Sequence, residues 1–592
     1  TLQKTLELKS EVYPVNNKEI ILSIANLAGF YQEKGFWSKS KSLYNHIIAA
    51  GSAQIPSDIL IGAAQNLVSI YDLNQQPDSA DYILRRIDQW KLITPNTLLD
   101  YQHQFFRAKV DRKLNQYASA QAILDRLVPS LSKKTEPQFF DLYVQSLQEQ
   151  GSLYLETGVY SQAERYLLQA YSLITPESNR EYLLTELANN LAQVYDKLNI
   201  YDKALDYYEE SLSRCKVSYD ENSLPCVILQ NNIAGVHLKQ DNVAGAITDY
   251  KKIIAQFGKL LPPSDPLYIT ALNNLATAYR KDKQYGRALE YLDKAEMLLK
   301  ESGRANDDLA ATVLNNIAVL NTAEGDYEKA ARHYKNAYDI KRTIYGENSI
   351  LLMDLMSNLA VTYWALDKPK EAIPLFKRAM ALALKQVTYV FPGLNEKEQV
   401  QFYEKLKEDF ERFNTIAIQW ASLDEELIAQ MFQNRMIIKS LQFFTQQRRS
   451  RLIRLKNDES LTMLFSRLKE RRDRLGRLYQ LPLQDLRQSN DEIPALEREV
   501  DALEKAISLK SSEAIYDDGL GAAQVSWKLL AGKLQPSEAV VEMVRFRKYD
   551  RQKARKRDFF GFADSVYYAA IVLTKDTKEK PDLILFKDGN NL

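Results

Sequence analysis

Along most of the chain, apolar residues recur at helical spacing. In LANNLAQVY the apolar positions Leu187, Leu191, Val194 and Tyr195 fall on one face of a helix, and KALDYYEESL, from Lys203, repeats the pattern after a short break. Two such segments joined by a turn predict a helical hairpin. From Leu394 the rhythm changes to longer amphipathic helices, and after Asp517 it changes again. There AVVEMVRF, from Ala539, YYAAIVLT, ending at Thr574, and LILFK, from Leu583, are β-branched and aromatic runs bounded by turn residues, which predict strands.

The helical part is periodic. LNNLATAYRKDKQYGRALEYLDKA, Leu272 to Ala295, returns as LNNIAVLNTAEGDYEKAARHYKNA, Leu314 to Ala337. The Asn before Leu-Ala or its equivalent stands at Asn26, Asn66, Asn190, Asn232, Asn274, Asn316 and Asn358, the last five at a constant spacing of 42. Fourteen residues after each mark comes a small residue, and with Ala120 and Ala163 in the same slot of the two repeats that lack the Asn the series is Ser40, Ala80, Ala120, Ala163, Ala204, Ala246, Ala288, Ala330 and Ala372. Nine hairpins are predicted between about Ile20 and Leu384. Small residues let two helices approach closely. Tyr117, Tyr160, Tyr201, Tyr285 and Tyr327 fill the turn before these small residues, Pro77 and Pro369 elsewhere, and their rings are expected in the seam between hairpins.

A hairpin this short buries its apolar faces only by stacking on its neighbours. The repeats resemble the tetratricopeptide repeat family in a longer, 42-residue form. The resemblance implies a right-handed superhelical solenoid with a concave wall that holds a protein or peptide. It also marks Asn190, Asn232, Asn274, Asn316 and Asn358 as candidate contacts to a bound peptide backbone; the competing reading is a local packing choice spread by duplication.

The strands after Asp517 carry a second resemblance. A helical connector containing NRMIIKSLQ, then Trp527 and a short helix, a Pro-Ser-Glu-Ala turn into AVVEMVRF, and then YYAAIVLT look like the entry to a CHAT domain, the caspase-like protease domain that travels with tetratricopeptide repeats. The expected fold is therefore mostly α: a lead-in over 1–19, the solenoid over 20–390, a helical connector over 391–516, and the N-terminal part of an α/β caspase-like domain over 517–592. The resemblance implies a cysteine endopeptidase regulated by the solenoid. It supplies no catalytic residue here, because no His follows His333 and no Cys follows Cys226, and that chemistry needs a His and a Cys within hydrogen-bond reach. The reading expects the domain to continue past Leu592, and leaves open what precedes Thr1. The alternative is a non-catalytic scaffold or adaptor.

Composition narrows the rest. With 78 basic and 77 acidic side chains the net charge is +1, so no global field favours nucleic acid. The basic segment from Arg448 is interleaved with Asp458, Glu459, Glu470 and Asp473 and reads as a solvated helix face. The run from Arg545 to Arg557, eight basic residues in thirteen, reads as an exposed hairpin loop. Leu496, Val500, Leu503 and Ile507 mark one arm of an antiparallel helix pair. No stretch reaches the roughly 18 apolar residues of a membrane span. His46, His103, His237 and His333 lack metal-ligand spacing, and no cofactor motif occurs. Cys215 and Cys226 flank SYDENSLP; they are read as buried, idle thiols, with one disulfide as the other option. The compartment, cytoplasmic or exported, stays open.

Overall fold

In the computed structural model, residues 4, 17–33, 36–50, 55–73, 76–174, 180–439, 459–479, 492–517, 526–550 and 562–586 are described. Most of the lead-in, residues 440–458 of the basic segment and of the NRMIIKSLQ stretch, residues 551–557 of the basic run and the last six residues lie outside them. The chain divides into two compact units, Thr1–Glu156 with Gln162–Leu183, and Thr157–Ser161 with Leu184–Leu592.

The fold is mostly helical. The first unit contains α1 (Lys18–Glu33), α2 (Trp37–Ala50), α3 (Ser57–Leu73), α4 (Pro77–Trp90), α5 (Leu98–Lys113), α6 (Tyr117–Leu131), α7 (Pro137–Glu156) and most of α8 (Tyr160–Leu173). Hairpins of the second unit are α9 (Glu181–Lys197) with α10 (Tyr201–Ser218), α11 (Leu224–Lys239) with α12 (Val243–Leu260), α13 (Pro266–Lys281) with α14 (Tyr285–Glu301), α15 (Asp308–Glu324) with α16 (Tyr327–Tyr345), and α17 (Met353–Ala365) with α18 (Pro369–Val390). Second helices of 17 to 19 residues in α10, α12, α14 and α16 absorb part of the extra length of each repeat.

One local device recurs at the hairpin turns. The first helix ends on a left-handed residue: Asn115, Asn199, Asp241, Lys283 and Asp367 at φ 60–65°, and Gly325 at 84°. The next amide then bonds back to the carbonyl five residues earlier, as in Ile200 to Tyr195, Gln284 to Tyr279 and Lys368 to Tyr363, each 2.9 Å. This satisfies carbonyls that the helix end would leave open, and Gly, Asn and Asp tolerate the conformation best. The marked tyrosines are not in the turn, as the spacing suggested. They open the second helix, and the hydroxyls of Tyr117 and Tyr201 each donate to the Asn two residues before, at 2.8 Å. All nine small marker residues, Ser40 through Ala372, are completely buried. Around them lie Leu, Ile, Val and aromatic side chains, such as Leu272, Leu275, Ile253 and Phe257 in the middle hairpins.

Cys215 and Cys226 are joined in a disulfide with Cα atoms 5.8 Å apart, so the idle-thiol reading is corrected. The reason is placement: the last turn of α10 and the first turn of α11 face each other across the turn 219–223, and both sulfurs are buried there.

After α18 come α19 (Glu396–Gln419), α20 (426–439), α21 (Glu459–Tyr479), α22 (Glu492–Asp517) and α23 (Trp527–Lys533). α21 and α22 pair in antiparallel fashion around Leu461, Leu468, Val500, Leu503 and Ile507. Basic residues of α21 face acids of α22: Arg471 Nε lies 2.9 Å from Glu499, and Arg472 2.6 Å from Glu504. Strands β1 (Ala539–Tyr549), β2 (Phe562–Thr574) and β3 (Asp582–Phe586) form an antiparallel meander in the order β1-β2-β3. Ala569 opposes Val544 on one side and Leu585 on the other. β1 runs three residues further than the sequence suggested, through a bulge at Arg547 to Tyr549. Among the described residues this C-terminal part is one short helix and a three-stranded sheet, and the α/β layering of a caspase-like domain is not displayed.

β1 is fastened to the last hairpin and its neighbours. Glu542, Val544, Phe546 and Tyr549 are buried, and the Tyr549 ring stands 5.2 Å from Trp364 of α17. Arg547 Nε donates to Glu411 of α19 at 2.8 Å, and Lys439 of α20 pairs with Glu542 at 2.7 Å.

Candidate partner-binding site

The marked asparagines sit on the first helix of consecutive hairpins: Asn190 on α9, Asn232 on α11, Asn274 on α13, Asn316 on α15 and Asn358 on α17. All five are half-buried. Each of four of them stands one residue before the buried apolar stripe, with Leu191, Leu275, Ile317 and Leu359 next in sequence and buried.

Three of them form rungs across the hairpin stack. Asn232 Nδ2 donates to Asn189 Oδ1 at 3.2 Å, Asn274 to Asn231 at 3.4 Å, and Asn316 to Asn273 at 2.7 Å. The acceptor in each case is the first member of the preceding Asn-Asn doublet, a position the sequence reading passed over. The doublet itself was the available signal: Asn189-Asn190, Asn231-Asn232, Asn273-Asn274 and Asn315-Asn316 recur at the repeat spacing. In the last hairpin the first position is Ser357, whose hydroxyl donates to Asp409 of α19 at 2.8 Å. There the connector helix takes over the role of the next repeat, and Asn358 accepts Thr362 Oγ1 at its backbone carbonyl.

One helical turn or two below the rungs runs a charged ladder of the same kind. Lys239 bonds Asp196 at 2.6 Å, and Lys281 reaches Asp241 at 2.7 Å and the Leu238 carbonyl at 2.8 Å. Aromatic pairs brace the hairpins from within: the rings of Tyr195 and Tyr207 stack at 5.6 Å, those of Tyr279 and Tyr291 at 5.7 Å. Burial pushes the Tyr201 hydroxyl up to about 12, with the charges of Asp196 and Asp241 adding to the effect. Tyr208 is likewise held well above its ordinary range, chiefly by burial. These hydroxyls stay protonated at neutral pH.

The column therefore offers neutral amides and hydroxyls at the repeat spacing, with the Lys–Asp pairs beside them. The four histidines are dispersed: burial holds His333 below the ordinary imidazole range, and His103 bonds Asp88 at 2.7 Å. Among the described residues no group of three His, Cys, Asp or Glu side chains could hold a metal ion. No helix among them is long and apolar enough to cross a membrane.

The sequence model of the tetratricopeptide repeat matches residues 143–216, 226–301 and 309–385. These segments are tetratricopeptide repeats. No curated protein matches the chain. Among solved structures, NprR in complex with its cognate peptide NprX is similar at 15% identity and a TM-score of 0.44, covering 58% of this chain and 96% of that one. A Rap protein complexed with Competence and Sporulation Factor is similar at 14% identity and a TM-score of 0.42, over 59% and 97%. Aspartyl phosphate phosphatase F from Bacillus subtilis is similar at 16% identity and a TM-score of 0.39, over 63% and 95%.

Proposed function

We propose that the repeats form a concave wall that holds an extended segment of a protein partner through the Asn column, and that this wall regulates an attached caspase-like CHAT protease domain whose N-terminal part is 517–592. One observation carries the binding part: three consecutive Asn rungs bridge neighbouring hairpins while their donor residues stay half-exposed. An Asn amide has two N–H donors and a carbonyl, so Asn232 and Asn274 keep a donor and an acceptor beyond the rung. Packed helices lie roughly 8–10 Å apart, and an extended chain rises about 3.3 Å per residue. Each step from one hairpin to the next thus matches about three residues of extended peptide. The recurring helical-hairpin geometry has no closed cleft and suits peptide capture.

A second reading has its own support. In the bridged state both cysteines are joined to each other, so neither stands as a thiolate nucleophile there. On this reading the chain is a non-catalytic scaffold.

The test is selection of random-sequence peptides displayed on phage against the 592-residue chain, followed by affinity measurement on the Asn232→Ala/Asn274→Ala/Asn316→Ala variant. Loss of two or three net hydrogen bonds of about 1 kcal/mol each weakens binding by roughly tenfold or more. Unchanged affinity in a variant that melts normally refutes the Asn column as the binding wall.

A further inference from the structure

We propose that the Cys215–Cys226 bridge is a reducible clamp on one joint of the repeat stack, the joint between α10 and α11. The bridge ties the last turn of one hairpin to the first turn of the next. One period further along, the same two positions are Phe257 and Tyr268, and two periods along they are Leu299 and Ala310. Those joints close through buried or half-buried apolar contact. The stack therefore builds such a joint without a covalent bond, and the bond at this one joint adds a restraint that its neighbours lack.

What the bond restrains is an exposed turn. Residues 216–222, the last three residues of α10 and most of the turn after it, are all exposed, Val217 at 84%, while Cys215 and Cys226 on either side are at most 1% exposed. Beyond the helical bonds of residues 216–218, the segment is held by Tyr219 N to Cys215 O at 2.8 Å, Ser223 N to Asp220 O at 2.9 Å, Asn222 N to Asp220 Oδ1 at 2.8 Å, Gln230 Nε2 to Glu221 O at 3.2 Å, Gln256 Nε2 to Asn222 Oδ1 at 2.8 Å, and the Lys216 to Glu221 ion pair at 2.9 Å. The two cysteines bound this segment on either side, so on this proposal its opening is the local route by which a reductant reaches the bridge. Exposed segments with few apolar contacts open at far lower cost than the core. The same joint carries the Asn232 to Asn189 rung, so its looseness reaches the candidate wall.

The step is thiol–disulfide exchange with an external dithiol reductant. One of its thiolates attacks a sulfur of the bridge, forming a mixed disulfide and releasing the other cysteine as a thiolate that takes up a proton. The reductant's second thiolate then displaces the remaining cysteine. Two electrons pass to the protein, Cys215 and Cys226 become thiols, and the reductant becomes a disulfide. The freed thiols are small enough to remain packed as apolar side chains, so the hairpins stay formed while the turn and the first turn of α11 regain freedom.

The experiment treats the folded, oxidised chain with dithiothreitol and reads free thiols and amide hydrogen exchange by mass spectrometry. Two thiols per chain are expected under native conditions, with exchange across 216–229 at least tenfold faster, exchange across 266–301 unchanged, and recovery on reoxidation. The Cys215→Ala/Cys226→Ala variant is expected to match the reduced protein and to ignore the reductant. Three results overturn the proposal: thiols that appear only on global unfolding, exchange unaltered by reduction, or exchange accelerated throughout the repeats.

Discussion

Lys505 Nζ lies 2.8 Å from Glu398 Oε2, with the two side chains only 8% and 2% exposed. Lys505 belongs to α22 and Glu398 to the first turn of α19, and the same carboxylate is reached by Lys203 of α10 at 2.7 Å. Glu398 also closes a reciprocal cap with Asn395, accepting the Asn395 amide at 3.0 Å. One carboxylate thus ties a repeat, the connector and the antiparallel helix pair together.

Burial alone would raise the Glu398 pKa, but the charges of Lys505 and Lys203 hold it down, to about 2. A folded-state value below the ordinary range of about 4.3 makes the carboxylate stabilising above that range. The stabilisation is lost as pH falls from about 4.5 toward 2. Lys505→Met leaves Glu398 with one cation in a buried site, at a cost of about 3 kcal/mol or more. Melting curves of both proteins between pH 7 and pH 2.5 check this: the wild-type midpoint falls steeply over the acid window, and the variant starts lower and falls less.

Ala288 and Ala330 are completely buried where two helices of a hairpin meet. Replacing either by Leu overpacks the crossing and costs about 1–3 kcal/mol. Thermal melting reads the loss, and two variants that melt like the parent would contradict the close helix approach.

Asn273 is 5% exposed and receives the shortest Asn rung, from Asn316 at 2.7 Å. A double-mutant cycle of Asn273→Ala and Asn316→Ala is expected to give a coupling of about 0.5–1.5 kcal/mol. Additive losses would mean that the rung contributes nothing to the stack.

Trp364 is buried to 1%, donates Nε1 to Gln419 at 2.9 Å and packs its ring on Tyr549. Trp364→Ala is expected to cost about 3–5 kcal/mol. Hydrogen exchange should also rise along β1, because its end loses the surface it lies on. Exchange confined to α17 would show that the strand is held by Arg547 and Glu411 instead.

The hairpins were legible in the sequence because each depends on local periodicity and on a small residue where two helices must touch. All nine of those small residues are sealed, including the irregular Ser40 and Ala80. The Asn column was legible as a column. Its partners were not, because the rung joins residues 43 apart through a position, Asn273 for example, whose meaning appears only when the next hairpin is laid against it. The five tyrosines expected in the turn open the second helix instead, because the left-handed residue two positions before each of them already makes the turn.

By itself, then, the sequence determined the repeat, its period, the strands after Asp517, and that within it no His follows His333 and no Cys follows Cys226. Tertiary structure alone decided that Cys215 and Cys226 bond, that Glu398 binds two lysines more than a hundred residues away on either side, and that β1 lies on Trp364. Helical and strand patterns are written in neighbours a few residues apart. Pairing of buried charges and thiols depends on which surfaces the packed hairpins bring within a few ångströms, and that distance is set by the whole stack.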